Sequence, residues 1–579
     1  MKKSKFIPLT ITLPLLFIVS ACNDAKISPA HQRAFLEAGE EADITLRDLE
    51  KGGVKVGNSC PTTGHPHVFV VPVEFRDYPA DEIGKYYNST TKTKNGVGYA
   101  YRDEESTAQG RGREEARKDI EKIYFGDAEQ TQWHSLRSYY EESSYGKLHF
   151  EGVVADWYRP AVDFEHLDDW ASAAQWAQGD AAASALANKL IKLYSDDSTQ
   201  KFKELKDKDG RQMFNSGKEF LQYFDSDHDG YFDLIEIVYS APFWATDVAN
   251  EVYNKGINND IFWAYCGSHP AETTPNPEKP VISKYAFFSY YTFVEAGKLV
   301  PWGDDEKQEP WTTDEISAGV PLDAHTLIHE TGHALGLPDY YDTSYSGKNA
   351  SGSVDMMDHN VGDHNSYSKT LLGWVNPIVV TGATSVTINS YTKTGDCIMV
   401  PYRGFYRDHK DHSNTAFIEY LAIELYNPTG VNKTDSEHSY CGNYPKCPSI
   451  SGIKIYHVDS RLGVFNYNGN WKFQDFTTRI VGTGSLGKVD VASSNSNDNH
   501  VEDFWQLQYL SREEDSSVTL VSNESLFQEG DTFNSATSYT NFLMNEVYPD
   551  TEDQQIPFGY TIKIQSLTED SATLLFEAC

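Results

Sequence analysis

The chain has 579 residues, with 85 Asp and Glu against 49 Lys and Arg, a formal net charge of −36. So acidic a surface repels nucleic acid and anionic lipid headgroups, and neither is an expected partner. Aromatic residues make up 13% of the chain, which excludes a disordered polymer, and the length predicts two or three domains rather than one core.

The N-terminus reads "MKKSKFIPLTITLPLLFIVSACND". Lys2, Lys3 and Lys5 precede an apolar run from Phe6 to Val19, too short for a comfortable membrane span and suited to an export signal. The run ends in Val19-Ser20-Ala21-Cys22, which resembles a bacterial lipobox. Residues 1–22 are therefore expected to be a lipoprotein signal peptide. Acylation of Cys22 would place the protein at the cell envelope, with that anchor as its membrane contact. Residues 23–64 are polar and aperiodic, as in a tether or short pro-segment. The other cysteines are Cys60, Cys266, Cys397, Cys441, Cys447 and Cys579. In an exported chain they permit disulfides, Cys441 with Cys447 being the easiest pair.

From there the chain mixes element types. "HVFVVPVEFRD" (67–77) and "DLIEIVYSA" (233–241) read as strands; "REEARKDIEKIYFG" (113–126) and "AAASALANKLIKLY" (181–194) have helical spacing. Residues 65–380 are thus expected to form an α+β domain. After Asn376-Pro377, β-type runs recur between Gly, Asn, Ser and Asp clusters: "TSVTI", "FIEYLAIELY", "GIKIYHVD", "SSVTLVS", "YTIKIQSL" and "SATLLFEA". Residues 381–579 are expected to be an all-β sandwich or jelly roll.

Two stretches carry chemistry. "DSDHDGYFDLIE" (225–236) places Asp225, Asp227, Asp229, the Tyr231 carbonyl, Asp233 and Glu236 at the offsets of a calcium loop, with Gly230 at its sharp turn. The helix-like "GKEFLQYF" before it and the strand-like "LIEIVYS" after it predict a structural Ca²⁺ clip rather than an EF-hand sensor. Glu236 is the least secure of these ligands, because a strand can aim it elsewhere.

The second stretch is "HETGHALGLPDYYD" (329–342). Asp323 is the expected N-cap of a helix over 324–335. His329 and His333, one turn apart, share a face and suit one tetrahedral Zn²⁺. Glu330 is placed to accept a proton from a water and pass it to a leaving amine. His325 lies eight residues from His333, about 12 Å of helical rise. Zinc–nitrogen bonds are about 2 Å, so His325 cannot join both as a ligand. Gly336 can reverse the chain and Pro338 forbids helix continuation, so Asp339 can swing back as third ligand. Asp342 competes for that role. Downstream, "SGSVDMMDHN" (351–360) offers Met356 or Met357 as a metzincin-like methionine turn.

These residues resemble the immune inhibitor A-like bacterial metallopeptidases, whose HExxHxxGxxD pattern the stretch matches throughout. "SLRSYYEESSYGKLHFEGVVADWY" (135–158), "NSYSKTLLGWV" (365–375), "EYLAIELYNPTG" and "GIKIYHVD" extend the likeness over residues 65 to about 460. The resemblance implies a zinc endopeptidase acting on extracellular protein or peptide substrates. By position it assigns the family's methionine to Met357. Tyr367, His359 and His364 are candidates for donating to a tetrahedral oxyanion. The competing reading is a cell-surface binding or adhesion lipoprotein whose metal sites are structural. An intact Glu330 argues against it, because a structural zinc site prefers four protein ligands.

Overall fold

The computed structural model describes residues 60–579 apart from internal stretches, the longest being 161–179, 244–261, 404–418, 474–487 and 545–555. The expected signal peptide, Cys22 and residues 23–59 lie outside the described residues. Among those described, no helix is long and apolar enough to cross a membrane.

The elements of the first half follow the sequence pattern closely. They are β1 (His67–Val73), α1 (Arg113–Phe125), α2 (Leu136–Ser143), β2 (Glu151–Val154), α3 (Asp180–Ser195), α4 (Gly217–Tyr223), β3 (Leu234–Tyr239), β4 (Tyr265–Ser268), β5 (Lys284–Ser289) and α5 (His325–Ala334). The strands form one sheet in the order β2-β1-β3-β5-β4. All neighbours are parallel except β4, which runs antiparallel to β5 at one end. β1 and β3 are buried along nearly their whole length, as central parallel strands covered on both faces must be.

Alternation along the strands separates the two faces. Val68, Val70, Leu234, Val238, Ala286 and Phe288 pack with Leu327 and Ile328 of α5. Phe69, Val71, Ile235, Ile237, Tyr285 and Phe287 pack with Leu186 and Leu190 of α3 and Phe220 of α4. α1 joins the α5 side through Ala116, Ile120, Ile123 and Tyr124, one helical stripe. The sheet thus holds α5 rigidly along one face, with the end strand β4 beside it.

The second half is mostly strand. β6 (Ile378–Val379), β7 (Thr384–Asn389), β8 (Cys397–Pro401), β9 (Glu419–Tyr426), β10 (Gly452–Asp459), β11 (Leu507–Leu510), β12 (Thr532–Phe533), β13 (Tyr560–Leu567) and β14 (Ser571–Ala578) make two sheets. Their orders are β6-β8-β9-β10-β11 and β7-β14-β13-β12. The expected "SSVTLVS" strand lies mainly on residues that are not described, and its described end, 520–522, is not a strand. The whole is α+β. One apolar cluster runs through both halves, from Leu327 and Ile328 to Ile423, Ile455 and Leu574.

Buried polar bonds cross the same junction. Glu424 of β9 accepts the Ser366 amide at 2.8 Å, and Asp435 accepts the Gly362 amide at 2.6 Å. The six described cysteines stand as thiols. Cys441 and Cys447 are drawn to different neighbours: the Cys441 amide binds the Ala296 carbonyl and the Cys447 amide that of Asp435. The Cys441 sulfur sits by Gly297 and the Cys447 sulfur by Gly362, and the pairing expected from their short spacing is not made.

Candidate metal centre

Helix α5 begins at His325, one residue later than expected, with Ala324 at the cap position. Asp323 still accepts the His325 amide at 3.2 Å, but its second oxygen is taken by His325 Nδ1 at 2.6 Å. His325 Nε2 lies 3.0 Å from Asp435, and the ring stacks on Trp133 at 3.8 Å. Burial alone would lower its pKa; the Asp323 and Asp435 carboxylates overcome that and raise it to about 10. His325 is thus an imidazolium that ties the start of α5 to the β-rich half. It is not a ligand, as the helical rise required.

The helix ends in a Schellman turn. Gly336 has φ +102°, its amide bonds the His333 carbonyl at 3.0 Å, and the Leu337 amide bonds that of Gly332 at 3.0 Å. This reversal carries Asp339 back over the helix. His329, His333 and Asp339 offer ligand atoms that all lie within 4.8 Å of one another. Asp342 is outside that group, so between the two candidate aspartates the geometry selects Asp339.

The supporting bonds fix the chemistry of this trio. His329 Nδ1 lies 2.8 Å from the Met356 carbonyl and His333 Nδ1 lies 2.8 Å from that of Leu337. A carbonyl only accepts, so each Nδ1 carries the proton and each Nε2 presents a lone pair. Both Nε2 atoms face Asp339 Oδ1, at 3.2 Å and 3.1 Å, and that buried oxygen meets no well-directed donor. Three electron-rich atoms collected in one buried place repel one another unless a cation lies among them. Two imidazoles and a carboxylate fit a divalent metal with one position open. Without a metal, a proton substitutes. Burial disfavours the His333 imidazolium, yet Asp339 raises its pKa to about 9. Asp339 in turn is held well below the usual carboxylate range, against its own burial, chiefly by His333.

Glu330 is buried beside the trio. Burial pushes its pKa up, His329 and His333 pull it back, and the Cys266 amide of β4 donates to its carboxylate. Met357 packs under the helix between the two histidines. A Cβ on Gly332 would come 2.4 Å from Met357 Sδ, so only glycine lets the sulfur sit there. Tyr341 stacks on His329 with ring centroids 6.2 Å apart.

Of the three expected oxyanion donors, Tyr367 and His359 hold hydrogen bonds elsewhere, and both ring nitrogens of His364 are buried without a hydrogen-bond partner. Tyr367 is fully buried and its hydroxyl accepts from Gln506 at 2.9 Å. His359 bonds the neighbouring Asp358. His364 is sealed among the Tyr139, Tyr140 and Trp374 rings, where burial holds its pKa well below normal and the imidazole neutral. Cys60 lies behind α5, its amide on the Ala334 carbonyl at 2.9 Å, rather than over the metal trio.

In the acidic loop, Asp225, Asp227 and Asp229 likewise converge within 4.8 Å, around Gly230 at φ +90°. Burial raises the pKa of Asp225 to about 6. Asp233 stands just behind, its carboxylate receiving the Ser226 amide at 3.1 Å and the His67 amide at 2.8 Å. Tyr231 opens a two-residue strand against Val281–Ile282.

Glu236 is a correction. It sits in β3, in register with Val70 and Ala286 on the face that meets α5, and Thr331 of α5 donates to it at 3.2 Å. A strand turns alternate side chains to opposite faces, so position 12 of this loop points under the zinc-motif helix instead of into the loop. Burial raises its pKa to about 8. The Thr331–Glu236 and Cys266–Glu330 contacts had no local signal, because strand order alone brings these residues together. Tyr341 had one, its place two residues after Asp339.

Residues 305–360 match the family model described as immune inhibitor A peptidase M6, catalytic domain. The matched stretch contains α5, Asp339 and Met357. No curated protein matches the chain.

Proposed function

From a chain that carries an immune inhibitor A-like peptidase domain of the M6 metallopeptidases, we propose that the protein is a zinc-dependent endopeptidase cleaving extracellular proteins or peptides. The observation that carries this is the convergence of the two Nε2 lone pairs and Asp339 Oδ1 beside a buried glutamate. His329, His333 and Asp339 would hold Zn²⁺, which when bound supplies Lewis acidity toward a scissile carbonyl and a water.

The chain's own residues supply the rest. Glu330 takes a proton from the attacking water and returns it to the departing amine. Its burial-raised pKa favours the first transfer, and the Cys266 amide keeps the carboxylate oriented between the two. Cys266 lies opposite Ala286 in β4, the end strand. Its N–H points to Glu330, away from β5. In an antiparallel ladder such outward residues alternate with those bonded to the neighbour, so this edge can receive an extended substrate strand. Tyr341, stacked on His329, is our candidate for the second oxyanion donor, in place of Tyr367 and His359. In this reading the domain is metzincin-like, with Met357 as its methionine floor.

Asp225, Asp227 and Asp229, with the Tyr231 carbonyl and Asp233, are proposed to hold a structural Ca²⁺. Acylated Cys22 is proposed to anchor the exported protein. Detergent-phase partitioning that Cys22→Ala abolishes would support the anchor, and unchanged partitioning would remove it.

The central test uses the full-length protein loaded with one zinc. Casein hydrolysis should stop with a zinc chelator and return with zinc. Glu330→Ala should lose roughly 10²–10⁴-fold in rate while keeping its metal. Metal-loaded protein with no hydrolysis dependent on Glu330 would leave the site structural.

A further inference from the structure

Trp263 and Tyr265 are 54% and 47% exposed, the two most exposed large apolar side chains among the described residues. They stand at alternate positions, Trp263 two residues ahead of β4 and Tyr265 opening it. Between and beside them the pattern inverts: Phe262 and Ala264 are buried. Each exposed ring is braced from behind. Trp263 meets Phe243 edge-on at 5.4 Å, and Tyr265 leans on Phe287, its partner across the strand pair, at 6.0 Å. Bracing lowers the entropy cost of using such rings as a binding surface. Solvent-facing aromatics of this size, two residues apart at the start of the end strand, mark a contact site rather than random exposure.

Their place says what they contact. Cys266, the next residue, gives its amide to Glu330. Phe287 belongs to the sheet face opposite α5, so Tyr265, alongside it, lies on that face too. A polypeptide added to the outer edge of β4 would present alternate side chains to α5 and to the aromatic face. Successive same-face side chains on a strand are about 7 Å apart; Tyr265 opens β4 and Trp263 stands at the bend just before it, so the two rings meet different side chains of an added strand. A net charge of −36 disfavours an anionic membrane as the occupant, and continuity with Glu330 favours a substrate.

We propose that Trp263 and Tyr265 form the specificity surface of the active site, selecting extended polypeptides with aromatic or large aliphatic side chains at alternate positions on one side of the scissile bond. The inference rests on the peptidase reading above and adds the substrate class to it.

The test compares synthetic peptides that differ only in carrying Phe and Leu, or Ser and Ser, at two alternate positions beside the cleaved bond. Wild-type full-length protein should favour the apolar peptide by about tenfold or more in kcat/KM. In the Trp263→Ser/Tyr265→Ser variant, with zinc content and Tm matching wild type, that ratio should fall to within about threefold of one. An unchanged ratio in the variant, or no preference in wild type, overturns the proposal. The same peptides, dye-labelled, are titrated against Glu330→Ala protein with and without the two serines, read by anisotropy. If wild type cleaves neither peptide, the peptidase reading fails, and the binding ratio alone then decides whether the aromatic surface selects apolar strands.

Discussion

The turns at 225–233 and 329–339 solve one problem in two ways. Each uses a left-handed glycine, Gly230 at φ +90° or Gly336 at φ +102°, to fold carboxylates back upon one another or upon histidines. Around 329–339 both imidazoles are braced, His329 by the Met356 carbonyl and His333 by that of Leu337, and Met357 packs under the helix. In the acidic loop Asp227 is exposed and Asp229 half-buried, with Asp225 alone buried. Imidazoles fixed by backbone carbonyls define a metal's geometry before it arrives and leave a position open for chemistry. Partly solvated carboxylates make a site whose occupancy follows the ambient cation.

The sharpest way to break this contrast is to remove a donor from the braced site. Asp339→Ala should lower zinc affinity by at least about 100-fold, since even supporting residues around such sites cost 10–100-fold. Asp342→Ala, outside the trio, should stay within a few-fold. Metal analysis with a competing chromophoric chelator reads both, and equal losses would return Asp342 to the ligand set. In the acidic loop the equivalent change should appear as stability. With Ca²⁺ at 100 times its dissociation constant, linkage predicts about 2.7 kcal/mol of added stability, lost in Asp227→Asn/Asp229→Asn. A melting temperature indifferent to Ca²⁺ in wild type would reduce the loop to an acidic turn.

Bracing itself is tested at Gly332. Gly332→Ala drives a methyl into Met357 Sδ and should cost about 1–3 kcal/mol. Combined with Met357→Ala, which vacates the space, the loss should be clearly less than the sum of the two single changes. Strict additivity in denaturant melts would mean that the sulfur does not buttress the helix.

The parts that could be read from sequence are those written in local geometry. His329, His333 and Asp339 follow from helical pitch and a Schellman turn, both set by neighbours within six residues. Most β-rich runs of the second half became strands for the same reason, their alternation being local. What escaped was set by strand order. Nothing near Cys266 announces that its amide serves Glu330, because β4 reaches the end of the sheet only by pairing antiparallel to β5. The core shared across the Asn376-Pro377 junction escaped likewise, since the bond from His325 to Asp435 spans 110 residues. Glu236 enters the loop by its offset alone, and the strand-like run that follows the loop already makes it the least secure ligand, since a strand can aim it elsewhere.

Glu236 also links the two sites and gives the smallest of the expected effects. Its carboxyl begins where the acidic loop ends and lies beneath α5 against Thr331, with Oε2 buried and facing the Tyr124 hydroxyl. Burial raises its pKa from the ordinary glutamate value to about 8 in the folded protein. Between those two values the folded chain holds a proton that the unfolded chain has released, so stability falls as pH rises through that window. Glu236→Gln keeps the shape and a hydrogen-bonding group but cannot ionise. Near pH 5 the variant should match wild type. By pH 7 it should be the more stable of the two by about 1 kcal/mol, less than a full shift implies because real interiors relax around charge. Urea melts at the two pH values measure the difference directly. A glutamine variant that loses the same stability with pH as wild type would move the titration elsewhere. A variant less stable than wild type at pH 7 would mean that Glu236 is ionised and serves as a ligand after all.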